Sequence, residues 1–279
     1  MNACNENEVI AMKKAARDEQ LKTARAKGKE VLDGRTPRER GEEKTLAVLD
    51  WVYRWTWTSP TTAETLGGAQ RSGLAARLVK KGYLRSTRTA AGGGEPGVPL
   101  NILTLTERGL MHIERTREVL LPYEMDPYRI RQSKLRHDQI AQMATAKQLQ
   151  NGNISGYLSE KEMAMPSKLR VKQPDVCWVI GDTKTAIEVE LTAKWDRDLD
   201  EFVAASIASL TEIDGVTRFN FITIVSDSRA IISRYRAAFQ PKSGYGEWVK
   251  NDAGKWTKPT VLSVPQWVKG KVLCKFIES

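Results

Sequence analysis

Cysteine and histidine are scarce in this 279-residue sequence, and their scarcity excludes whole classes of chemistry. The three cysteines, Cys4, Cys177 and Cys274, lie far apart, and Cys177 sits inside an apolar run. No disulfide framework is implied, and reduced, mostly buried thiols are expected. The two histidines, His112 and His137, cannot combine with scattered cysteines into the spacings of a structural zinc site. There is no Gly-x-x-x-x-Gly-Lys-Ser/Thr loop either: the run Gly92-Gly93-Gly94 leads into Glu95 and Pro96 rather than into Lys and a helix, which argues against a nucleotide-hydrolysing motor. No long apolar run or signal peptide is visible, so a cytoplasmic protein without membrane insertion is expected.

What is abundant is positive charge. Lys and Arg number 44 against 34 Asp and Glu, a formal charge of +10, which is the electrostatic footprint of a polyanion binder. A membrane-surface protein would share that charge but would also need a strongly apolar face or a lipidation signal, and neither is present. The 41% of apolar residues can fill two ordinary cores.

Residues 1–43 are rich in Lys, Arg, Glu and Ala and read as an exposed, charged arm. From Lys44 the apolar period becomes helical, with Leu46, Leu49, Val52 and Tyr53 on one face. A second short helix, capped by Thr61 or Thr62, a Gly67-Gly68 turn and a third helix over about 71–81 with Leu74, Leu78 and Val79 inward complete a helix-turn-helix pattern. Gly82 ends the third helix; 83–87 and 101–105 read as two strands with a Gly/Pro-rich tip, followed by a helix capped by Thr106 and running toward Leu121. Residues 44–121 are therefore expected to form a winged-helix DNA-binding domain. Gln70, Arg71, Ser72, Arg77 and Lys80 would face the major groove, and Arg85 and Arg88 would reach phosphates. The alternative is a winged fold used for protein contacts.

A linker over 122–134 leads to a second domain at 135–279. It opens with a helix over 135–149 that turns Ile140, Met143 and Ala144 inward. Strands at 155–159, 175–180, 185–191 and 218–225, helices at 197–212 and 227–239, and short strands from Tyr245 to Phe276 that cover an edge or extend the sheet describe an α/β core. The fold class expected for the whole chain is α+β.

The stretch from Lys172 to Lys194 carries the chemistry. Asp175 opens one strand, and Glu188 and Glu190, two apart on the next, project from one face because strand side chains alternate. A turn at Gly181-Asp182 would bring the three carboxylates together, and such a cluster calls for a cation. Mg2+ or Mn2+ takes hard oxygen ligands and, in phosphodiester cleavage, polarises the phosphoryl oxygen and activates water. Asp175, Glu188 and Glu190 are the candidate metal ligands, Lys194 the group that stabilises charge on the phosphate, Asp138 a possible added ligand, and His137 a general base or phosphate donor. The competing reading makes Glu188 and Glu190 the exposed face of an edge strand, paired with Lys184, Lys194 or Arg197. Trp178 and Trp195 flank the motif, and Trp195 is the better candidate for stacking on unpaired bases.

Pro174-Asp175 and Glu188 resemble the core motif of the PD-(D/E)xK nuclease superfamily, with Glu190 where that motif has Lys and Lys194 or Lys184 as the displaced cation. Together with His137-Asp138 on the preceding helix, they look like the MobC-type plasmid relaxases and the replication-relaxation proteins. The resemblance implies a restriction-endonuclease-like domain behind the winged helix, a partner DNA that is double-stranded at the site and single-stranded near the nick, and contacts with mobilization or transfer proteins. Relaxases with a tyrosine nucleophile need a histidine cluster that two isolated histidines cannot form, which leaves a hydrolytic carboxylate–metal route. Two further readings stay open: a non-catalytic DNA-binding accessory protein with a degenerate nuclease scaffold, and a dimeric enzyme cutting both strands.

Overall fold

The computed structural model describes residues 14–23, 26, 34–68, 73–163, 173–213 and 215–277. The chain divides into two compact units, residues 1–47 and 48–279. Helix α1 spans 14–23 and is exposed along its whole length. Helix α2, Pro37–Trp55, starts seven residues ahead of the apolar period. Its start is set by a capping box: Thr36 Oγ1 accepts from the Glu39 N–H and the Glu39 carboxylate accepts from the Thr36 N–H, with Pro37 in the first turn.

Helix α3, Pro60–Leu66, is capped by Ser59 rather than by Thr61 or Thr62: Ser59 Oγ accepts from the Thr62 N–H at 3.1 Å, and Pro60 supplies the first turn. Helix α4, Leu74–Lys80, buries Leu74, Ala75 and Leu78, while Val79 is only half-buried. Gly82, at φ 72°, releases the chain into β1. Strands β1, Leu84–Arg88, and β2, Asn101–Leu105, pair antiparallel with Leu84 opposite Leu105. Helix α5, Glu107–Glu114, is capped by Thr106 and ends well short of Leu121. Gly109 is required here, because a Cβ at this position would lie 2.1 Å from the Tyr83 carbonyl oxygen.

After two short 3-10 turns, Pro127–Arg129 and Gln132–Lys134, comes α6, Leu135–Gln150. Its fully buried face is Leu135, Ala141, Gln142, Thr145 and Ala146, so Ile140, Met143 and Ala144, expected inward, sit half-buried at the margin. The shift has a physical cause: α6 lies between α3 and the sheet, and the polar side chains it buries there are hydrogen-bonded. Gln142 accepts from the Trp51 indole N–H (3.0 Å) and the Thr58 hydroxyl (2.8 Å) and donates to the Trp57 carbonyl (3.0 Å). Thr145 Oγ1 accepts from the Trp178 indole N–H at 2.8 Å.

The remaining elements are β3 (Gly156–Ser159), α7 (Glu160–Met163), β4 (Val176–Ile180), β5 (Thr183–Val189), α8 (Asp196–Leu210), β6 (Glu212–Ile213), β7 (Val216–Thr217), β8 (Phe221–Ser226), α9 (Arg229–Ala238), β9 (Gly244–Lys250), β10 (Trp256–Ser263) and β11 (Val272–Phe276). Five of these strands make one mixed sheet in the order β11-β8-β5-β4-β3. Strands β3, β4 and β5 are antiparallel neighbours, whereas β8 runs parallel to β5 and β11 parallel to β8. The fold is thus mixed α+β. Of the late strands, β11 extends the sheet, and β9 and β10 form a separate hairpin against α8.

Alternation along β4 and β5 sends their side chains into two cores. Val176, Trp178 and Ile187 pack with Ala146 of α6 and with Trp51 and Tyr157. Cys177, Ala186, Ile222 and Ile224 pack on the other face with Phe202, Val203 and Leu210 of α8 and Ile231 and Tyr235 of α9. Burial pushes the Cys177 thiol up to about 11, which leaves it unreactive; Cys274 is half-buried and Cys4 lies outside the described residues. No helix among the described residues is long and apolar enough to cross a membrane.

Candidate active site

The C-terminal ends of the parallel strands β5 and β8 and the start of the antiparallel β4 share one edge of the sheet, the side on which open α/β sheets hold their ligands. Asp175 sits there, just ahead of β4. Its N–H donates to the Ile187 carbonyl (3.1 Å), and its carboxylate accepts from the Val189 N–H (2.7 Å), so both its backbone and its side chain are fixed against β5.

The first turn of α6 closes over this point. Arg136 pairs with Asp227, the residue after β8. His137 lies between two carboxylates: Nε2 is 3.2 Å from Asp175 Oδ2 and Nδ1 is 3.1 Å from Asp138 Oδ1. Burial alone would lower the imidazole pKa, but the hydrogen bonds and charges of Asp138 and Asp175 outweigh it and raise the group to about 10. Both ring nitrogens thus face carboxylate oxygens, a setting that favours the protonated ring and suits holding a carboxylate or a phosphate.

Glu188 and Glu190 lie at the end of β5 and are each only 5% exposed. Strand β5 is flanked by β4 and β8, so the exposed edge-strand reading does not hold. Glu188 is in register with Ile224, and the Glu190 N–H donates to Val225 O at 2.8 Å. The Lys194 ammonium contacts both oxygens of Glu190 and stands 5.0 Å from the centre of the Phe202 ring. Lys184, the other candidate cation, is exposed near the opposite end of β5. The buried Tyr235 phenol packs here too: burial and the Glu190 and Glu188 carboxylates all push its pKa up.

The site thus has two groups, His137–Asp138–Asp175 and Glu188–Glu190–Lys194–Tyr235, at adjoining strand ends. Among the described residues, no three His, Cys, Asp or Glu side chains are arranged as a metal cage. The donors nevertheless fit magnesium or manganese in kind. Mg2+ is commonly held by one or two carboxylates, with waters and substrate phosphates filling the other positions. Asp175 and Glu188 are carboxylates of that kind, on neighbouring chain segments at this end of the sheet.

The first group opens into a cleft of about 240 Å³ lined by Arg131, Lys134, His137, Asp138, Lys161 and Asp175 among others. Burial lowers Lys161 to about 8, and its ammonium donates to the Pro122 carbonyl at 3.0 Å. Arg136, Lys161, Asp227 and Tyr235 are not evident as site residues in the sequence. Only Asp227, an acid directly after a strand, and Arg136, beside His137, carry any signal.

Of the groove-facing candidates, Arg77 and Lys80 are exposed on α4, three residues apart and so on one helix face. Arg85 and Arg88 are exposed on β1, and Gln70, Arg71 and Ser72 lie outside the described residues. Trp178 is buried, while Trp195 is 62% exposed with the Arg234 guanidinium 3.5 Å from its ring centre.

Comparison with known proteins matches the chain to no protein-family model and to no curated protein. Among solved structures it is similar to protein VC1899 from Vibrio cholerae, at 14% identity over 72% of this chain, with a TM-score of 0.26. It covers 51% of that chain, about half its length.

Proposed function

We propose that the chain is a DNA-binding, metal-dependent endonuclease of the bacterial cytoplasm that nicks DNA at the transfer origin of a mobilizable element. The observation that carries this reading is the placement of Asp175. Its carboxylate is held by the Val189 N–H and His137 at the end of the sheet where the buried Glu188 stands in the last pleat of β5. On this reading residues 135–279 are the PD-(D/E)xK-like domain, and residues 44–121, with α3, α4, the β1–β2 hairpin and α5, are the winged helix.

Asp175 and Glu188 would hold Mg2+ or Mn2+, which when bound supplies the Lewis acidity that polarises the phosphoryl oxygen and activates water. Glu190 fixes the Lys194 ammonium at the strand end, and Lys194 offsets negative charge on the phosphate undergoing attack. His137, placed between Asp138 and Asp175, orients Asp175 and can donate to a phosphate oxygen. Arg77 and Lys80 would meet the major groove, and Arg85 and Arg88 its phosphates.

One observation favours a second reading, a non-catalytic DNA-binding mobilization or replication accessory protein that engages transfer proteins. Both oxygens of Glu190 are taken up by Lys194, which closes that carboxylate to a metal. Nicking of a supercoiled plasmid carrying the element's transfer region, with Mg2+ or Mn2+, separates the two. Open circles formed by the wild type and reduced on the order of 100-fold or more by Glu188→Gln and Asp175→Asn, with duplex binding intact, support the nuclease. Binding without cleavage by the wild type supports the accessory role.

A further inference from the structure

One residue beyond Lys194 the surface changes character. Trp195 is 62% exposed, and the Arg234 guanidinium covers one of its faces at 3.5 Å from the ring centre. Arg234 is locked there by donating to the Lys194 carbonyl at 2.7 Å. Two residues further on, Arg197 reaches the hairpin, its guanidinium 4.6 Å from the ring centre of Trp256. Trp256 is itself 44% exposed and pairs across the hairpin with Lys250, whose ammonium is 5.3 Å from the same ring.

Two exposed indoles, each beside a cation, are therefore linked through Arg197, which is two residues from Trp195 and contacts Trp256. Exposed indoles with cations beside them offer both a π-face and positive charge, the two components of single-strand binding surfaces. We propose that Trp195 and Trp256 form a stacking track for unpaired DNA leaving the site, with bases meeting the indole surface left exposed and Arg234, Arg197 and Lys250, which lie against the rings, supplying positive charge toward the backbone. Stacking is the sequence-tolerant element of single-strand recognition, because every base has a π-face, and cations flanking the rings are its usual companion.

The charge pattern favours stacking as the main term. Asp198 and Glu201, 3.4 and 3.5 Å from Arg197, partly neutralise that cation, while Arg234 and Lys250 have no carboxylate partner among the described residues. The track deepens the nuclease reading by naming the strand that must pass beside Lys194, and it rests on that reading for its role. Its test needs no cleavage.

The probe is fluorescein-labelled oligothymidylate, titrated by anisotropy in EDTA against the wild type, Trp195→Ala, Trp256→Ala and the double variant. An unlabelled random duplex serves as competitor in parallel. Each alanine is expected to weaken oligothymidylate binding about tenfold and the pair about 100-fold, with duplex binding unchanged. Trp195→Phe and Trp256→Phe, which keep a stacking face, should retain most of the affinity. The proposal is overturned if the double variant binds oligothymidylate like the wild type, if single-strand and duplex affinities fall together, or if phenylalanine fails to rescue. A plasmid that is not nicked while this binding pattern holds would overturn the nuclease and leave the track standing.

Discussion

Replacing Gln142 by leucine is the sharpest probe of how the chain is built. Gln142 is fully buried and closes three hydrogen bonds, from the Trp51 indole and the Thr58 hydroxyl and to the Trp57 carbonyl. Leucine fills the space but leaves three buried polar groups without that partner. Each such group costs about 1–3 kcal/mol, and because the three share one site their effects fall short of a simple sum, giving a loss of about 3–5 kcal/mol. Against a total stability of about 5–15 kcal/mol this is large. With a urea slope near the upper end of about 1–3 kcal/mol/M, the midpoint should fall by more than about 1 M. Tryptophan fluorescence and far-UV circular dichroism would follow the unfolding. A loss below about 1 kcal/mol at unchanged slope would refute the claim that this side chain joins α2 and the segment ahead of α3 to α6. Two separated transitions would refute residues 48–279 as one cooperative unit.

Duplex binding should weaken steeply with salt, and the double replacement Arg85→Ala and Arg88→Ala should make the log–log slope shallower by about 2, near 0.9 for each phosphate that is no longer neutralised. An unchanged slope would remove the β1–β2 hairpin from the DNA interface. A pH effect is expected from Asp200. Burial would raise its carboxyl, but the Lys258 ammonium at 2.8 Å and the Trp248 indole N–H at 2.9 Å hold it below the ordinary range. Because its folded value lies below the unfolded one, its contribution to stability is present above about pH 4 and is lost as pH falls through the folded value. Thermal midpoints between pH 6 and 3 should therefore drop more steeply for the wild type than for Asp200→Asn; parallel curves would contradict the pairing.

Alternation puts Glu188 and Glu190 on one face, and the Gly181-Asp182 turn brings them back beside Asp175; both signals are local and need no tertiary information. The same alternation is silent on exposure. That Glu188 and Glu190 are buried depends on β5 lying inside the sheet beside β8, a pairing across more than thirty positions of chain, and on distant side chains such as Tyr235 of α9 that pack there. Helix α2 begins earlier than its apolar periodicity predicts, and the local sign of that start is Thr36-x-x-Glu39, legible as a capping box. Helix α6 departs from expectation in its inward face for a different reason. Gln142 and Thr145 are polar by type and buried only because Trp51, Trp57, Thr58 and Trp178 supply their partners. Tyr235, at the floor of the candidate site, sits in an ordinary amphipathic helix and carries no local mark of its neighbours.

Trp55 of α2 stacks on Trp51 and on Tyr157 of β3, and Trp51 meets Tyr157 at a tilt, in the same core that backs Val176 and Ile187. On the proposed function, the part that reads DNA and the part that cuts it share a wall of aromatic rings. The interval in base pairs between the protected site and the nick is then a constant of the molecule. Lengthening the 122–134 connection would not move the nick, and exchanging the reading module would require a new wall as well as a new recognition helix.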